Sequence, residues 1–316
     1  MNLSRIGFYT LTDDRARNAT STSQMMRGEL ILSSRCNFKC PYCRSVGGPD
    51  IDIEKAKEII NLWADEGLKN IRFSGGEPTL YSGLNELVEL ARLRGVERVA
   101  LSTNGSASEE QYQSLIDSGV DDFSISLDAC CAEDGDKMAG GRKGAFGVVA
   151  ENIRWLSAVS YVTVGVVLTV ANAGKTEQII KFADSLGVSD IRVIPAAQEG
   201  QTLPTISVSD ELINKYPILA YRENNFRTGR KVRGGPTRRC AIVLDDMAAM
   251  GDNHYPCIIY MREGGQPIGK IGTGMRQERQ RWHETHDCTQ DMICAGNCLD
   301  VCVDYNTKHE SFNQRN

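Results

Sequence analysis

From about residue 28 to 195 the chain alternates between apolar, β-rich runs and stretches whose apolar positions recur every three or four residues. The runs at Gly28–Ser34, Asn70–Ser74, Val96–Ser102, Phe123–Leu127, Val162–Thr169 and Ile191–Pro195 predict strands, and residues 52–67, 82–94, 108–118, 145–157 and 175–187 predict amphipathic helices between them. Thr176 opens the last of these helices, and Gly187 sits where a glycine stop belongs. Strands joined by helical crossovers imply a parallel sheet. Length and repeat favour an α/β fold built as a partial (β/α)6, TIM-like barrel over a flat doubly wound sheet, and such a barrel places functional residues at the C-terminal ends of its strands. After Pro195 the pattern breaks. Residues 209–226 read as helical, a basic glycine-bearing loop spans 229–239, and the remainder is rich in cysteine. The expected division is an N-terminal extension (1–27), the barrel (28–205), a helical linker (206–235) and a small module (236–316) whose core needs metal to hold it.

Composition narrows the class. The 316 residues are 41% hydrophobic, enough for a full-sized core with an appendage. A net charge of −5 gives no footprint for nucleic acid or an anionic membrane. The acidic groups at Asp121–Asp122, at Glu133, Asp134 and Asp136, and at Asp245–Asp246 are either solvated faces or, if they line a site, suited to a cationic substrate. No basic start followed by an apolar stretch occupies residues 1–25, and nowhere do about 18 apolar residues run together. The expectation is a cytoplasmic protein. Eleven cysteines in such a compartment point to metal ligation or thiol chemistry, because reducing conditions disfavour disulfides.

Directly after the first strand comes Cys36-x3-Cys40-x2-Cys43. Three thiolates on one short loop can hold three irons of a [4Fe-4S] cube and leave the fourth iron open, the alternative being a zinc site short of one ligand. Tyr42 precedes the third cysteine, Ser74-Gly75-Gly76-Glu77-Pro78 ends the second strand, Ser102–Gly105 the third and Ser124–Asp128 the fourth. In these motifs, from residue 28 to about 200, the sequence resembles the radical S-adenosylmethionine (SAM) superfamily. The resemblance implies that Cys36, Cys40 and Cys43 bind a [4Fe-4S] cluster, and that Gly75, Gly76 and Glu77 hold the SAM amino group. Glycines there permit close backbone approach, and a carboxylate suits an ammonium. It also implies that Asn104, Ser126 and Asp128 face the SAM ribose and methionine, that Asn172 and Pro195 fall at adenosine contacts, and that either Lys137 or Arg142 meets the SAM carboxylate. The implied chemistry is reductive cleavage of SAM to a 5′-deoxyadenosyl radical that removes hydrogen from an unactivated C–H bond, fed by an external donor such as flavodoxin or ferredoxin.

The tail carries Cys240, Cys257 and then Cys288-x5-Cys294-x3-Cys298-x3-Cys302. It resembles SPASM and twitch modules, which hold auxiliary [4Fe-4S] clusters: Cys240-x10-Gly251-x5-Cys257 is similar to their hairpin, and the x5 and x3 spacings to their cysteine run. Thr285 stands where that run has its first cysteine, and the hairpin has an extra residue before Cys257. The resemblance therefore implies one auxiliary cluster, on Cys288, Cys294, Cys298 and Cys302; two incomplete clusters, or a zinc knuckle assisted by His283 or His286, are the alternatives. Cys257 and Cys240 are then spare, and either can donate hydrogen. The Cys130–Cys131 pair reads as structural. Hydrogen returned to the opposite face of a carbon inverts it, so the expected function is an epimerase of a carbohydrate-like, possibly aminated, small molecule. The alternatives are a dehydrogenase of an aminocyclitol or sugar alcohol, a peptide-modifying maturase, and a non-catalytic iron–sulfur sensor. An N-terminal domain to grasp a leader peptide is not seen, which counts against a maturase. Molybdenum-cofactor cyclases, which end in Gly-Gly, are set aside because this chain ends at Asn313–Asn316.

Overall fold

The computed structural model describes residues 13–44, 47–199, 206 and 208–313. The strands β1 (Arg27–Ser33), β2 (Asn70–Gly75), β3 (Arg98–Thr103), β4 (Asp122–Ser126), β5 (Tyr161–Leu168) and β6 (Asp190–Pro195) pair with one another in chain order, all parallel. Every run expected to be a strand is one. The crossover helices Ile53–Asp65, Leu84–Leu93, Glu109–Ser118, Ala145–Val159 and Thr176–Ser185 begin and end where local chemistry dictates. The Asp52 carboxylate accepts from the amides of Glu54 and Lys55, and Gly119 closes the third of them in the left-handed conformation. Their apolar sides and the outward residues of the strands form one core that includes Trp63, Phe73, Leu101, Phe123, Ile153 and Ile180, all fully buried. Each such side chain contributes about 1.5–3 kcal/mol to folding.

The sheet does not stop at β6. Strand β7 (Asp246–Met250) runs parallel to β1 on its free side, and β8 (Asn253–Tyr255) and β9 (Gly269–Lys270) add antiparallel beyond it. The cysteine-rich region thus joins the barrel sheet through backbone hydrogen bonds. The N-terminal segment joins it too: on the helix Asp13–Asn18, Arg15 pairs with Asp245 at 2.6 Å, both side chains buried, and lies over the Tyr305 ring in the last helix, Asp300–Asn313. On the far edge, Arg233 donates to the Pro195 carbonyl (2.9 Å) and bridges to Leu299, so the tail also reaches β6. The half-barrel is therefore flanked by tail residues at both edges.

The helix expected over 209–226 is two helices, Asp210–Lys215 and Pro217–Arg227, because Pro217 cannot continue a helix but is well suited to start one. The second packs on β6, where the Asp190 carboxylate accepts from the amides of Ile191 and Ile218. Burial pushes the Asp190 pKa up from 3.8 to about 6. Its charged form is thus disfavoured in the fold, so the stability that the protonated acid contributes is complete below about pH 4 and lost as pH rises through about 6. Asp190→Asn is expected to gain stability over the wild type across that window, by up to about 3 kcal/mol; anaerobic thermal unfolding of both at pH 5 and pH 8 checks this. Among the described residues no helix is long and apolar enough to cross a membrane.

Candidate active site

The cysteine loop leaves the C-terminal end of β1 and is fastened at several points. Arg35 pairs with Asp50, which also accepts from the Ser33 hydroxyl at 2.6 Å. The Asn37 amide group donates to Ser106 (2.8 Å), Gln198 donates to the Tyr42 carbonyl (2.6 Å), and the Tyr42 hydroxyl donates to Asp128. The loop is thereby tied to the ends of β3, β4 and β6. Cys36, Cys40 and Cys43 all line one cavity of about 470 Å³, within the range of small-molecule sites. Cys36 Sγ accepts from the Phe38 amide (3.4 Å) and from Asn104 Nδ2 (3.7 Å). Burial raises the Cys36 thiol and, with the nearby Asp128, pushes Cys40 up to about 12. These thiols therefore release protons when a metal takes them.

Gly75 and Gly76 form the wall beside the loop. A Cβ at Gly76 would lie 2.2 Å from the Arg35 carbonyl oxygen, and one at Gly75, where φ is +150°, 2.3 Å from that of Ser33. No other residue lets β2 end against the cysteine loop, where the Gly76 amide donates to Ser33 and the Glu77 amide to Arg35, both at 2.7 Å. Glu77 has a different task from the one its motif suggests. Its side chain is fully buried and outside the cavity lining, and its carboxylate accepts from the Thr79 amide and hydroxyl, the Thr103 hydroxyl and the Asn104 amide, at 2.7–3.1 Å. It fastens β2 to β3.

Of the other expected SAM contacts, Tyr42, Asn104, Ser126 and Asp128 line the cavity. Asp128 also accepts from the Val167 amide (2.5 Å), and burial lifts its pKa to about 6. Asn172 does not face the cavity: buried, it donates to the Asp128 and Val167 carbonyls and accepts from the Thr169 amide, which makes it a strap between β4 and β5. Pro195 is likewise absent from the lining. Arg142 is exposed on its loop, and Lys137 pairs with Glu133 at 2.8 Å, so neither candidate for the SAM carboxylate reaches the site.

The six tail thiols come together. Cys288 lies near Cys294, Cys298 near Cys302, and Cys240 near Cys288, Cys257 and Cys302. His286 lies with Cys288 and Cys294, their ligand atoms within 4.8 Å of one another, whereas His283 is engaged with the Cys240 carbonyl (3.0 Å). Cys257 and Cys302 line the cavity and Cys240 does not. Burial pushes the Cys257 thiol up to about 12. Cys130 and Cys131 stay outside the cavity, near Gln178 and Asp134.

The acidic runs give a cationic substrate no support. Asp245 is taken by Arg15, Asp122 by Arg98 (3.3 Å), Asp134 by Lys175, and Asp136 accepts the amides of Gly144 and Phe146. Only Asp246 of these groups reaches the cavity, among seven arginines: Arg27, Arg44, Arg72, Arg192, Arg222, Arg233 and Arg262. Sequence reasoning missed these arginines. The available signal was polar alternation in the strands, as in Arg27-x-Glu29, Arg72-x-Ser74 and Ser124-x-Ser126, which marks an inner face that is not apolar.

Residues 30–184 match the profile of the radical SAM superfamily. Over these residues the chain is a radical SAM domain. A GTP 3′,8-cyclase of Chlorobaculum tepidum is 28% identical over 169 residues, 52% of this chain, and the match spans about half of that relative's length (51%). Among solved structures, anSMEcpe with bound AdoMet is similar with a TM-score of 0.61 at 16% identity, covering 92% of this chain and 96% of that one. Streptococcus suis SuiB bound to S-adenosylmethionine is similar with a TM-score of 0.60 at 14% identity, covering 89% and 77%. At these identities the structural likeness is one of fold. Radical SAM enzymes use a [4Fe-4S] cluster and SAM, act on a substrate and draw an electron from an external donor. The residues present fit that pair: three thiols on one loop face a cavity also lined by Gly75 and Gly76, where a Cβ would strike the backbone leading into that loop. The six gathered tail cysteines fit an auxiliary cluster as well.

Proposed function

We propose that this radical SAM enzyme inverts a C–H stereocentre of a small molecule held in the cavity, with Cys257 as the hydrogen donor. When bound, the cluster and SAM supply the radical that removes the substrate hydrogen. The observation that carries the reading is the position of Cys257, the one of the two spare thiols that lines the cavity. At neutral pH burial keeps it protonated, as a hydrogen-atom donor must be. The S–H bond breaks as a C–H bond forms on the opposite face, and the sulfur-centred radical is restored by one electron from the external donor and one proton. Asp128 and Asn104 orient the cofactor side of the cavity, while the surrounding hydrophobic groups Met138, Ile258 and Leu299 keep water from quenching the radical.

Cys302 favours a second reading, oxidation. It also lines the cavity, so an auxiliary cluster on the Cys288–Cys302 run would stand beside the substrate and could accept the electron a dehydrogenase must remove. Relatives carry the names GTP 3′,8-cyclase and SuiB, the latter also solved bound to the precursor peptide SuiA, and nucleotide and peptide substrates belong in the same assay.

The test incubates the anaerobically reconstituted enzyme with SAM, reductant and candidate substrates in D2O. Epimerisation adds one solvent deuterium at carbon without oxidation. In Cys257→Ala that incorporation is expected to fall at least about 100-fold, the scale set by losing a positioned hydrogen donor, while 5′-deoxyadenosine still forms. Undiminished incorporation in the variant removes Cys257 from the role, and a product two hydrogens lighter establishes the oxidation reading instead.

A further inference from the structure

The inner face of a parallel barrel ordinarily carries layers of branched apolar side chains. Here the N-terminal halves of the strands present Arg27 and Glu29 from β1, Arg72 from β2 and Arg192 from β6 to the cavity, joined by Arg222 from the helix that covers β6. The acids among them account for only part of this charge. Glu29 pairs with Arg27 at 3.1 Å, Asp122 is 3.3 Å from Arg98 and 4.0 Å from Arg72, Asp246 is 4.0 Å from Arg27, and Asp300 pairs with Nη1 of Arg222. Among the described residues no carboxylate lies within ion-pair distance of Arg192. Its Nη2 reaches the Ser124 hydroxyl at 3.4 Å, and its Nε is buried without a partner. Nε and Nη2 of the completely buried Arg222 are also without partners.

Buried guanidinium groups left unpaired are costly, and a protein retains them where a ligand completes the pairing. The fold also makes room for this one. Gly165 on β5 is in register with Arg192, and a Cβ there would lie 3.3 Å from Nη2. Burial lowers the Arg192 pKa to about 10, with the neighbouring Arg72, Arg222 and Arg27 acting in the same sense, so it remains a cation at neutral pH. Among the described residues no lysine lines the cavity. Planar forks on two sides, with no flexible ammonium, match a group with three or more oxygens pointing different ways, which is a phosphate; a carboxylate fills one fork only.

We propose that the arginine cluster around Arg192 and Arg222 is a phosphate-anchoring pocket, so that the substrate of this enzyme is a phosphorylated small molecule. The proposal rests on the reading of this cavity as the substrate chamber. The phosphate sits toward the N-terminal half of the strands and the reacting carbon toward the cysteine loop at their C-terminal ends, so the anchor fixes which C–H bond is presented.

The probe is inorganic pyrophosphate, titrated calorimetrically into the anaerobically reconstituted holoenzyme, with malonate as the carboxylate comparison. Wild type is expected to bind pyrophosphate more tightly than malonate. Arg192→Gln is expected to weaken pyrophosphate binding at least about 10-fold, the effect of losing a charge-assisted hydrogen bond, and Arg192→Lys to weaken it less. Cluster absorbance and thermal unfolding show that the variants are folded. Gly165→Ala gives a second reading, since its methyl group crowds Arg192 without removing charge, and it too is expected to weaken pyrophosphate. Absent binding to wild type, equal binding to wild type and Arg192→Gln, or malonate binding as tight as pyrophosphate each overturns the phosphate assignment. Formation of 5′-deoxyadenosine by wild type is measured on the same preparation. Its absence with normal pyrophosphate binding defeats the radical reading of the cavity and leaves the anion pocket standing.

Discussion

Replacing Cys36, Cys40 and Cys43 together by Ala is expected to abolish formation of 5′-deoxyadenosine and to lower bound iron from about eight to about four per chain, one [4Fe-4S] cluster's worth. The three cysteines are the sulfur ligands that the loop after β1 presents to the cavity beside Gly75 and Gly76. The iron that remains is the share of the tail. Among the described residues the six tail thiols lie near one another, and two clusters with four cysteines each would need more than six. Iron and sulfide analysis after anaerobic reconstitution decides the matter. A fall from about twelve to about eight would mean two auxiliary clusters with incomplete cysteine sets, which would engage Cys257 and end its role as hydrogen donor.

Glu77→Ala is expected to destabilise the protein by about 3–5 kcal/mol, the scale of leaving several buried donors unpaired at once. The carboxylate accepts four hydrogen bonds from Thr79, Thr103 and Asn104, three of them in buried surroundings. Because Asn104 also donates to Cys36 Sγ and to Asn37, releasing it loosens the cysteine loop, so cluster incorporation should fall along with stability. Anaerobic chemical unfolding together with iron content reads both. Glu77→Gln keeps the shape and part of the acceptor capacity and is expected to lose less. If Glu77→Ala unfolded like the wild type but bound SAM poorly, the carboxylate would be a direct ligand after all.

Local patterns account for what could be read early. The six parallel strands and their helices are legible because period and turn chemistry are properties of a few consecutive residues, and the cysteine triad because its three ligands share one loop. The same holds for Gly75 and Gly76, whose backbone requirement travels with the motif. Roles that depend on what lies across the sheet are not legible in that way. Asn172 and Glu77 stand at positions where a polar side chain could face cofactor or protein, and protein partners hold both: the carbonyls of Asp128 and Val167 accept from Asn172, and the Thr103 hydroxyl and Asn104 amide donate to Glu77. Arg142 lies close to the expected position in sequence, yet its loop leaves it in solvent.

The sequence by itself determined the class of chemistry and the half-barrel that carries it, since a three-cysteine loop after a strand and a glycine pair after the next are local statements. Tertiary structure alone decided that β7 extends the sheet beside β1, that Cys257 and Cys302 reach the cavity while Cys240 does not, and that arginines from β1, β2, β6 and a helix after it converge. Residues more than a hundred positions apart meet only through the register of the strands and the burial of the helices on them, and neither is encoded in any short stretch of chain.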